Sequence, residues 1–569
     1  MGQLRAPGLG PIVGHTSDRS CRLWVRADPD TDPDGDIDSS RRTLAVVGIF
    51  EEGDTVHPEG AVPCYYFRLR REFDRSGTIT LGLHTPTPER PRRLKSDTRY
   101  RVRIGTLTLD DPIDDELGLG SGDLMDRLPK AKVWEQDLRR LPAEKAEAVF
   151  RTFPDPAADE GKLDFLLGSC RYPGLLWKVR HADRIFGPMG DMVWGRNSET
   201  KAGKGRKAKA ESPPRFTLMV GDQIYADLFN RMVPLGRADS YEEFRERYLT
   251  AFGSPNIRRL MRGLPTYMIL DDHEIEDNWT QDRIRRGASY QLFTIAIDAY
   301  LSYQWSHGPR TYDKRLYYKF DCGSFPFFVV DTRTQRYLEG EAGDLSDNHM
   351  LGRPSLPGSP PGQLQRLLRW LVEQQSQRGN TPKFIVTSSV FVPSPMGARE
   401  PLDPERKEDS DSWPGFPNTK RALLQCIVEN EIQNVVFLSG DIHCANIAEL
   451  SFAGSPEAEK LRAFSVTSSA FYWPFPFADG EPSDFVHDSS DPEQADSFTV
   501  SDSPTITMDY KAWNFTQEDN FCRISLDRTS HSLRVRAYDK KGDIVSEEID
   551  DDDDDNEIEL DETLKLAPW

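Results

Sequence analysis

The sequence predicts a two-part protein, an antiparallel β-sandwich followed by a layered α/β domain. Up to residue 153, short runs of alternating and β-branched residues are separated by Asp, Gly and Pro clusters, a pattern typical of antiparallel strands. After residue 162, apolar strand-like runs alternate with helix-like stretches, as α/β layers require. With 569 residues, 37% of them hydrophobic, the chain is long enough to bury more than one core.

Residues 1–153 form the predicted β-sandwich domain. Its strand-like runs are CRLWVRAD, RTLAVVGIF, CYYFRLRREF, SGTITLGL and TRYRVRIGTL. A polar inserted segment at 110–146, partly helical at VWEQDLRRL, interrupts the pattern, and AVFRTF is the last strand. Residues 154–162, PDPAADEGK, are the predicted linker.

Residues 163–546 form the predicted α/β domain. Its strand-like runs are LDFLLGS, RFTLMVGD, TYMILDD, FPFFVVDTR, KFIVTSS and NVVFLSGD, and QLQRLLRWLVEQQ predicts a helix. The insertion at 196–215 is rich in Gly, Ser and Lys without apolar periodicity, which predicts a flexible surface loop. A basic loop beside an anionic substrate is the alternative.

The net charge of −21 depends largely on the end of the chain. Residues 547–562 contain 12 acidic side chains and no Lys or Arg, and without them the net charge is −9. We therefore expect residues 547–569 to be an acidic disordered tail, with binding of a basic partner or of cations as the alternative. The remaining charge gives no electrostatic footprint for specific nucleic-acid binding.

Cysteine usage and the N-terminus bear on the compartment. Seven scattered cysteines do not form a disulfide framework, which favours a reduced cytoplasm. The first residues, MGQLRAPGLGPIVGH, show no signal peptide, although secretion stays open if a leader was removed. No apolar run approaches the ~20 residues of a membrane span, so we expect no transmembrane segment. The oligomeric state is left open.

Four of the six α/β runs end at a potential metal ligand. These residues are Cys170; Asp222 with Tyr225; Asp271, Asp272 and His273; and Asp441 with His443. Residues at the carboxyl ends of strands project into the crevice where open α/β sheets bind ligands. Singly, each has a simpler explanation as a buried thiol, a helix cap or a hydrogen-bonded imidazole. Their joint occurrence predicts one site.

The residue types in this cluster indicate the kind of metal. Carboxylates combined with His, thiolate and phenolate suit a harder transition metal such as iron, with a second cation beside it, better than a structural zinc site. Two metals bridged by one carboxylate activate water and neutralise a phosphoryl group. On this hypothesis Asp222 is the bridge and Tyr225 reaches the same metal.

The segments GSC, GDQIYAD, DDHE and SGDIH occur in the order and approximate spacing of the PhoD-type alkaline phosphatases, a branch of the calcineurin-like metallophosphatases. GPIVGHTSDRSCRLWV resembles the opening of that family's N-terminal β-sandwich, and VVDTRTQR resembles its DTR segment. The resemblance covers most of residues 10–545. It implies a calcineurin-like αββα metallophosphatase sandwich, preceded by the β-sandwich and acting on phosphate esters.

The resemblance also implies roles for particular residues. It places Cys170, Asp222, Tyr225 and His443 around a ferric iron, and it places Asp222, Asp272 and Asp441 at a second cation similar to calcium, with Asn278 as an extra candidate ligand. Zinc and manganese are the alternative metals. His273 would contact phosphate or act as a general acid. Arg333 would clamp phosphate oxygens, and an ion pair with Asp331 is its alternative role.

Two questions stay open at this level. The aromatic run FYWPFPF at 471–477 is interpreted as loop packing, with a substrate-cleft wall as the alternative. The favoured function is a metal-dependent phosphohydrolase that cleaves phosphomonoesters, phosphodiesters or both through a metal-activated water. The alternatives are a phosphodiesterase dedicated to a lipid or nucleotide ester and a non-catalytic metal-bound interaction scaffold. The set of ligand residues argues against the scaffold, because structural sites tend to be closed.

Overall fold

The computed structural model describes residues 3–29, 41–82, 93–112, 128–174, 179–195, 212–228, 236–312, 315–339, 344–397, 412–475, 480–548 and 557–569. Most of the predicted loop 196–215 and the middle of segment 110–146 lie outside these residues. The fold is mixed α/β with several sheets. Across the described ranges, no helix is long and apolar enough to cross a bilayer. All seven cysteines are among the described residues, and none of them forms a disulfide.

The strands supply most of the framework. In chain order they are β1 Leu4–Arg5, β2 Leu9–Thr16, β3 Cys21–Arg26, β4 Arg41–Glu52, β5 Thr55–Val56, β6 Cys64–Arg68, β7 Ser76–Leu81, β8 Arg99–Pro112, β9 Glu147–Arg151, β10 Lys162–Gly168, β11 Thr217–Val220, β12 Thr266–Ile269, β13 Tyr318–Cys322, β14 Phe325–Val329, β15 Lys383–Val386, β16 Val435–Ser439, β17 Ala445–Ala453, β18 Ala463–Thr467, β19 Phe498–Asp502, β20 Thr505–Thr516, β21 Phe521–Asp527, β22 Ser532–Tyr538, β23 Ser546–Glu548, β24 Glu557–Glu559 and β25 Asp561–Lys565.

The helices lie mainly between strands of the second part of the chain. The α-helices among the described residues are Glu135–Arg140, Ala143–Ala146, Val179–Ala182, Phe186–Trp194, Tyr241–Gly253, Pro255–Met261, Gly287–Tyr303, Gln363–Arg378 and Pro417–Glu429. The helix Gln363–Arg378 coincides with the amphipathic run noted in the sequence. It buries Leu367, Trp370 and Leu371 on one side, at the spacing of a single helix face.

The first part of the chain contains two antiparallel sheets. One has six strands, with β1, β8, β4 and β5 in order and with β6 and β9 paired to β4 and β8, and the other is β2-β3-β7. The alternating side chains of facing strands fill the space between them, including Val13, Leu23, Val47 and Val102. This part also packs on the rest of the protein, because Trp24 belongs to the same apolar cluster as Phe244 and Tyr303.

Two larger sheets form the second part. The six-stranded sheet has the order β12-β11-β10-β21-β22-β25, and the eight-stranded sheet has the order β13-β14-β15-β16-β18-β17-β20-β19. Strands β10, β11 and β12 run parallel, as do β14, β15, β16 and β18. Phe165 and Leu218 of one sheet share a core with Phe327 and Val436 of the other.

The central strands are buried on both faces, which explains why their sequences are nearly continuous apolar runs. In β11, Leu218 lies in the core between the sheets, whereas Met219 packs among residues of the helices Phe186–Trp194 and Tyr241–Gly253. In β16, Val436 faces the same inter-sheet core and Phe437 packs among residues of the helices Gln363–Arg378 and Pro417–Glu429. Successive side chains therefore alternate between the two layers, as strand geometry requires.

The C-terminal segment does not match the prediction of a disordered tail at 547–569. Strand β25 pairs antiparallel with β22 at the edge of the six-stranded sheet, and Leu560, Leu564 and Leu566 are buried. The Asn434 side chain donates to the Ala567 carbonyl and accepts from its N–H, each at 2.8 Å. The prediction is thus wrong for residues 557–569, because alternating leucines among the acids supply an apolar strand face. Residues 549–556 lie outside the described residues.

Candidate metal centre

The site lies where strands of the two large sheets end. Cys170, Asp222, Asp271 and Asp441 each come two residues after the last residue of β10, β11, β12 and β16. Because these strands end at a common crevice, the side chains that follow them come together although they are far apart in the sequence. Cys170, Asp222 and Asp441 have positive φ angles of 56°, 54° and 76°, as does His443 at 52°. Left-handed backbone is unfavourable for such residues and tends to cluster at functional sites.

The first group of side chains contains the four residues predicted to surround iron. Ligand atoms of Cys170, Asp222 and His443 lie within 4.8 Å of one another. The Cys170 Sγ is 3.4 Å from Asp222 Oδ2, and the Tyr225 hydroxyl is 3.4 Å from the same oxygen. That hydroxyl is also 3.3 Å from His443 Nε2. All four side chains are buried, so thiol, carboxyl, phenol and imidazole meet at one point.

The second group consists of carboxylates. Oxygens of Asp222, Asp271, Asp272 and Asp441 lie within 4.8 Å of one another, so Asp222 belongs to both groups. Asp271 is missing from the set that the resemblance implies, although its signal is visible as the first acid of DDHE. Asn278 adjoins the group through its backbone, since its N–H donates to Asp272 Oδ2 at 2.6 Å.

Arg333 lies inside the carboxylate group. Its side chain is 0% exposed, its Nε donates to Asp271 Oδ1, and its Nη2 is 3.3 Å from Asp272 Oδ1 and 3.5 Å from Asp441 Oδ1. The Asp331 carboxylate accepts the backbone N–H of Arg333 at 3.1 Å. The guanidinium therefore balances part of the negative charge that the four carboxylates bring together.

His273 stands beside both groups and is held by a residue that the sequence analysis did not select. Its Nδ1 is 2.7 Å from Asp227 Oδ1, and the other Asp227 oxygen accepts the Asp277 N–H at 2.6 Å. Burial lowers the pKa of His273, but nearby carboxylates, Asp227 foremost, outweigh it and raise the pKa well above its usual value. Asp227 is the second acid of GDQIYAD, two residues after Tyr225.

Glu274 is a second residue that the sequence analysis missed, and it connects the ends of two strands. It is fully buried, and its carboxylate accepts the N–H groups of Asp222 at 3.1 Å, Gln223 at 2.6 Å and Asp271 at 2.8 Å. A further bond comes from the Gln304 amide at 3.0 Å. Burial raises the pKa of Glu274 to about 7. Its only sequence signal is the last letter of DDHE.

The aromatic run at 471–477 packs on the site itself. The Trp473 ring stacks on His443 with a centroid distance of 3.6 Å and an angle of 14°. Tyr172 contacts Trp473 at 5.6 Å and Tyr225 at 5.2 Å, both edge to face. Residues 476–479 lie outside the described residues, so the last two residues of the run are not placed.

A family model for PhoD-like phosphatases matches residues 200–533, which is more than half of the chain. The chain belongs to the PhoD-like phosphatase family. This confirms the resemblance found in the sequence.

Two known proteins are similar to the chain. Alkaline phosphatase D of Bacillus subtilis (strain 168) is 24% identical over 216 residues, which are 36% of this chain and 35% of that protein. The match therefore spans about a third of that relative. The solved structure of PhoD has a TM-score of 0.55 and 15% identity, covering 95% of this chain and 92% of the other, so the two share a fold.

The side chains of this candidate site fit bound cations. Asp222 Oδ1 and His443 Nδ1 are buried and have no hydrogen-bond partner among the described residues, which is unfavourable unless something else contacts them. Burial lowers the pKa of His443 to about 3, leaving the neutral imidazole that binds metals. Burial and neighbouring acids raise the pKa values of Cys170, Asp222 and Tyr225 well above their ordinary values. A cation would stabilise the anionic forms of all three.

Proposed function

We propose that this member of the PhoD-like family is a metal-dependent phosphohydrolase that cleaves phosphomonoesters, phosphodiesters or both. The observation that carries the proposal is the sharing of Asp222 by two groups of potential ligands, one containing Cys170 and His443 and the other containing three further aspartates. Two cations bridged by one carboxylate suit phosphoryl transfer to water. The proposed substrates are therefore phosphate esters.

The two groups differ in the chemistry of their donors, which supports a different metal in each. We assign ferric iron to Cys170, Asp222, Tyr225 and His443, because thiolate and phenolate are strong donors to ferric iron. We assign calcium to the aspartate group, with Asn278 as an additional ligand, because calcium prefers oxygen. When bound, such metals supply an activated water and neutralise charge on the phosphoryl group. Zinc or manganese is the alternative in either position.

The surrounding residues prepare the site for this reaction. We propose that His273 is the general acid, since Asp227 holds its Nδ1 and its raised pKa keeps the ring protonated for transfer to the leaving oxygen. Arg333 was predicted to clamp phosphate. Its 0% exposure and its contacts with Asp271, Asp272 and Asp441 favour a role in holding the carboxylates at the correct spacing.

The finer architecture belongs to the same proposal. Two sheets that share one core, each with helices in the apolar cluster of its other face, support a calcineurin-like αββα sandwich over residues 163–546. The antiparallel sheets before residue 153 support the separate β-sandwich domain. A phosphodiesterase dedicated to a lipid or nucleotide ester would use the same centre and differ in the walls of its pocket. A non-catalytic scaffold is the remaining alternative.

Hydrolysis of 4-nitrophenyl phosphate and bis(4-nitrophenyl) phosphate, with and without a chelator, tests the proposal. We expect release of 4-nitrophenol that chelation abolishes and added metal restores. Turnover of the diester alone would favour the dedicated phosphodiesterase, and no turnover by metal-replete protein would favour the scaffold.

Asp222→Asn is the most informative variant for the same assay. It removes one negative charge from the residue shared by both groups but replaces little of the core, so we expect hydrolysis to be abolished while circular dichroism and the thermal transition stay close to wild type. Substantial turnover by metal-replete Asp222→Asn would exclude a bridging role.

A further inference from the structure

Three aromatic residues form a continuous wall beside the proposed metal centre. Trp473 contacts Phe475 at 5.0 Å and Tyr172 at 5.6 Å, and Tyr172 contacts Phe475 at 5.1 Å, all edge to face. Trp473 and Phe475 are partly buried, so their rings keep surface that solvent can reach. We call Tyr172, Trp473 and Phe475 the aromatic wall. The wall carries no charged side chain.

The wall is joined directly to candidate ligands. Trp473 stacks on the His443 ring and Tyr172 contacts the Tyr225 ring. The more accessible part of the site includes Asp441 and His273, whose side chains are 14% and 12% exposed. A phosphoryl group bound at these residues therefore lies near the wall. The organic part of its ester can then contact the wall.

The backbone holds the wall at a fixed position relative to the ligand loop. The Tyr172 N–H donates to the Tyr472 carbonyl at 3.1 Å, and the Tyr472 N–H donates to the Cys170 carbonyl at 3.2 Å. The Trp473 N–H donates to Asp519 Oδ1 at 3.1 Å. The loop that carries Cys170 and the loop that carries Trp473 therefore form one paired unit. A preorganised surface of this kind binds a ligand at a lower entropic cost than a mobile one.

We propose that the aromatic wall is a subsite for a flat aromatic or heteroaromatic group in the organic part of the ester. This inference rests on the proposed phosphohydrolase function and names a substrate class for it. Aromatic rings bind flat π systems by stacking and edge-to-face contact. An aromatic wall therefore binds a flat π system more tightly than a saturated group of equal size. An uncharged wall gives no comparable preference to a second anionic group.

Two matched esters separate stacking from simple apolar contact. Benzyl phosphate and cyclohexylmethyl phosphate have leaving alcohols of similar size and both are primary, but only the first has a flat π system. We expect wild type to favour benzyl phosphate in kcat/KM. In Trp473→Leu and in Phe475→Leu this preference should fall by about fivefold, the range of one aromatic contact.

Phe515→Leu is the matched control. Phe515 stacks on a histidine elsewhere in the fold, His487, with a centroid distance of 4.2 Å and an angle of 12°. Phe515→Leu should leave the ratio of the two kcat/KM values unchanged, because losing a stack away from the wall lowers activity on both substrates equally. Metal content measured in every variant shows whether Trp473 only orients His443.

Each outcome decides the proposal. Equal losses on both esters, with or without loss of metal, would mean that the wall positions the ligands and binds no aromatic group. If Trp473→Leu does not fold, Phe475→Leu decides, because the Phe475 ring contacts Tyr172 and Trp473, which are not candidate ligands. A wild type that hydrolyses both esters without preference would overturn this inference alone. A metal-replete wild type that hydrolyses neither would overturn the proposed function and this inference with it.

Discussion

At the scale of single residues, the candidate centre depends on backbone conformations that interrupt strands. Cys170, Asp222, Asp441 and His443 all have left-handed φ angles just after a strand has ended. This conformation turns the chain sharply and directs successive side chains to one place, at a cost of about 1–3 kcal/mol for each residue. The surrounding hydrogen bonds, such as those to Glu274, offset that cost.

The proposed iron predicts a visible absorption band. If Tyr225 and Cys170 bind ferric iron, phenolate and thiolate donate charge to the metal and the purified protein is coloured, whereas zinc and calcium give no such band. Tyr225→Phe keeps the ring and costs about 1 kcal/mol of stability, the value of one hydrogen bond. We expect it to remove or shift the band, and Cys170→Ser to shift it as well. Colourless, iron-free and fully active protein would exclude iron.

Glu274→Gln tests whether this carboxylate positions the ligand strands. Gln keeps the shape but has only one acceptor oxygen, so some of the N–H groups of Asp222, Gln223 and Asp271 lose their partner. We expect a loss of about 2 kcal/mol in the free energy of unfolding and reduced metal content after purification. The control is Glu276→Gln. In the wild type the Glu276 carboxylate pairs with Arg237 at 2.7 Å. Equal metal content in both variants would contradict a positioning role.

At the scale of elements, the C-terminal strand belongs to the six-stranded sheet, whose strands β10, β11 and β12 lead to Cys170, Asp222 and Asp271. Strand β25 pairs with β22 at the edge of this sheet. Leu564 of β25, with Leu560 and Leu566 just outside it, lies in the core between the sheets. If residues 550–569 were the disordered tail that the sequence predicts, their deletion would leave the catalytic rate nearly unchanged. The structure predicts a loss of folding stability.

Leu564→Ala measures the contribution of β25. The side chain is 5% exposed, and its truncation should cost about 3 kcal/mol through lost burial and a residual cavity. Thr563→Ala, at the exposed neighbouring position, is the control and should change stability little. Chemical denaturation gives both values. Equal, small effects would show that β25 is not part of the cooperative unit.

At the scale of the whole molecule, the first part of the chain, with its antiparallel sheets, is anchored on the second part by specific contacts. The Trp24 indole N–H donates to the Ser302 carbonyl at 3.0 Å, and the Thr16 N–H donates to the Tyr267 hydroxyl at 3.2 Å. Arg258 donates to the Gly10 carbonyl at 2.8 Å. Buried polar contacts that cross the boundary couple the two parts, so we expect them to unfold together.

Gly14→Ala tests this coupling. A Cβ at Gly14 would lie 2.1 Å from the backbone carbonyl oxygen of His307, which cannot move as a flexible side chain would. We expect a loss of about 2 kcal/mol or more, with both parts melting in one calorimetric transition at a lower temperature. At Gly287 a Cβ would meet no described atom within 4 Å, so Gly287→Ala should be neutral. Two separate transitions would argue against coupling.

Local patterns in the sequence determined much of this architecture. Continuous apolar runs identified the central strands because both faces of those strands are buried, and the letters that end the runs identified most of the side chains that converge. The GSC, GDQIYAD, DDHE and SGDIH segments sufficed to recognise the PhoD-like family. The apolar runs and the four segments each span only a few residues, so neighbouring positions in the sequence are enough to specify them.

Tertiary structure alone decided the contacts between distant parts of the chain. Arg333 meets Asp271 across 62 positions, and Asn434 meets Ala567 across 133. The roles of Asp227 and Glu274 depend on which groups the folded strands bring to their carboxylates. The residue type at one position of the sequence does not show those partners. The acidic composition of residues 547–569 predicted disorder although leucines stand among the acids. Those leucines are buried only when β25 pairs with β22 in the completed sheet.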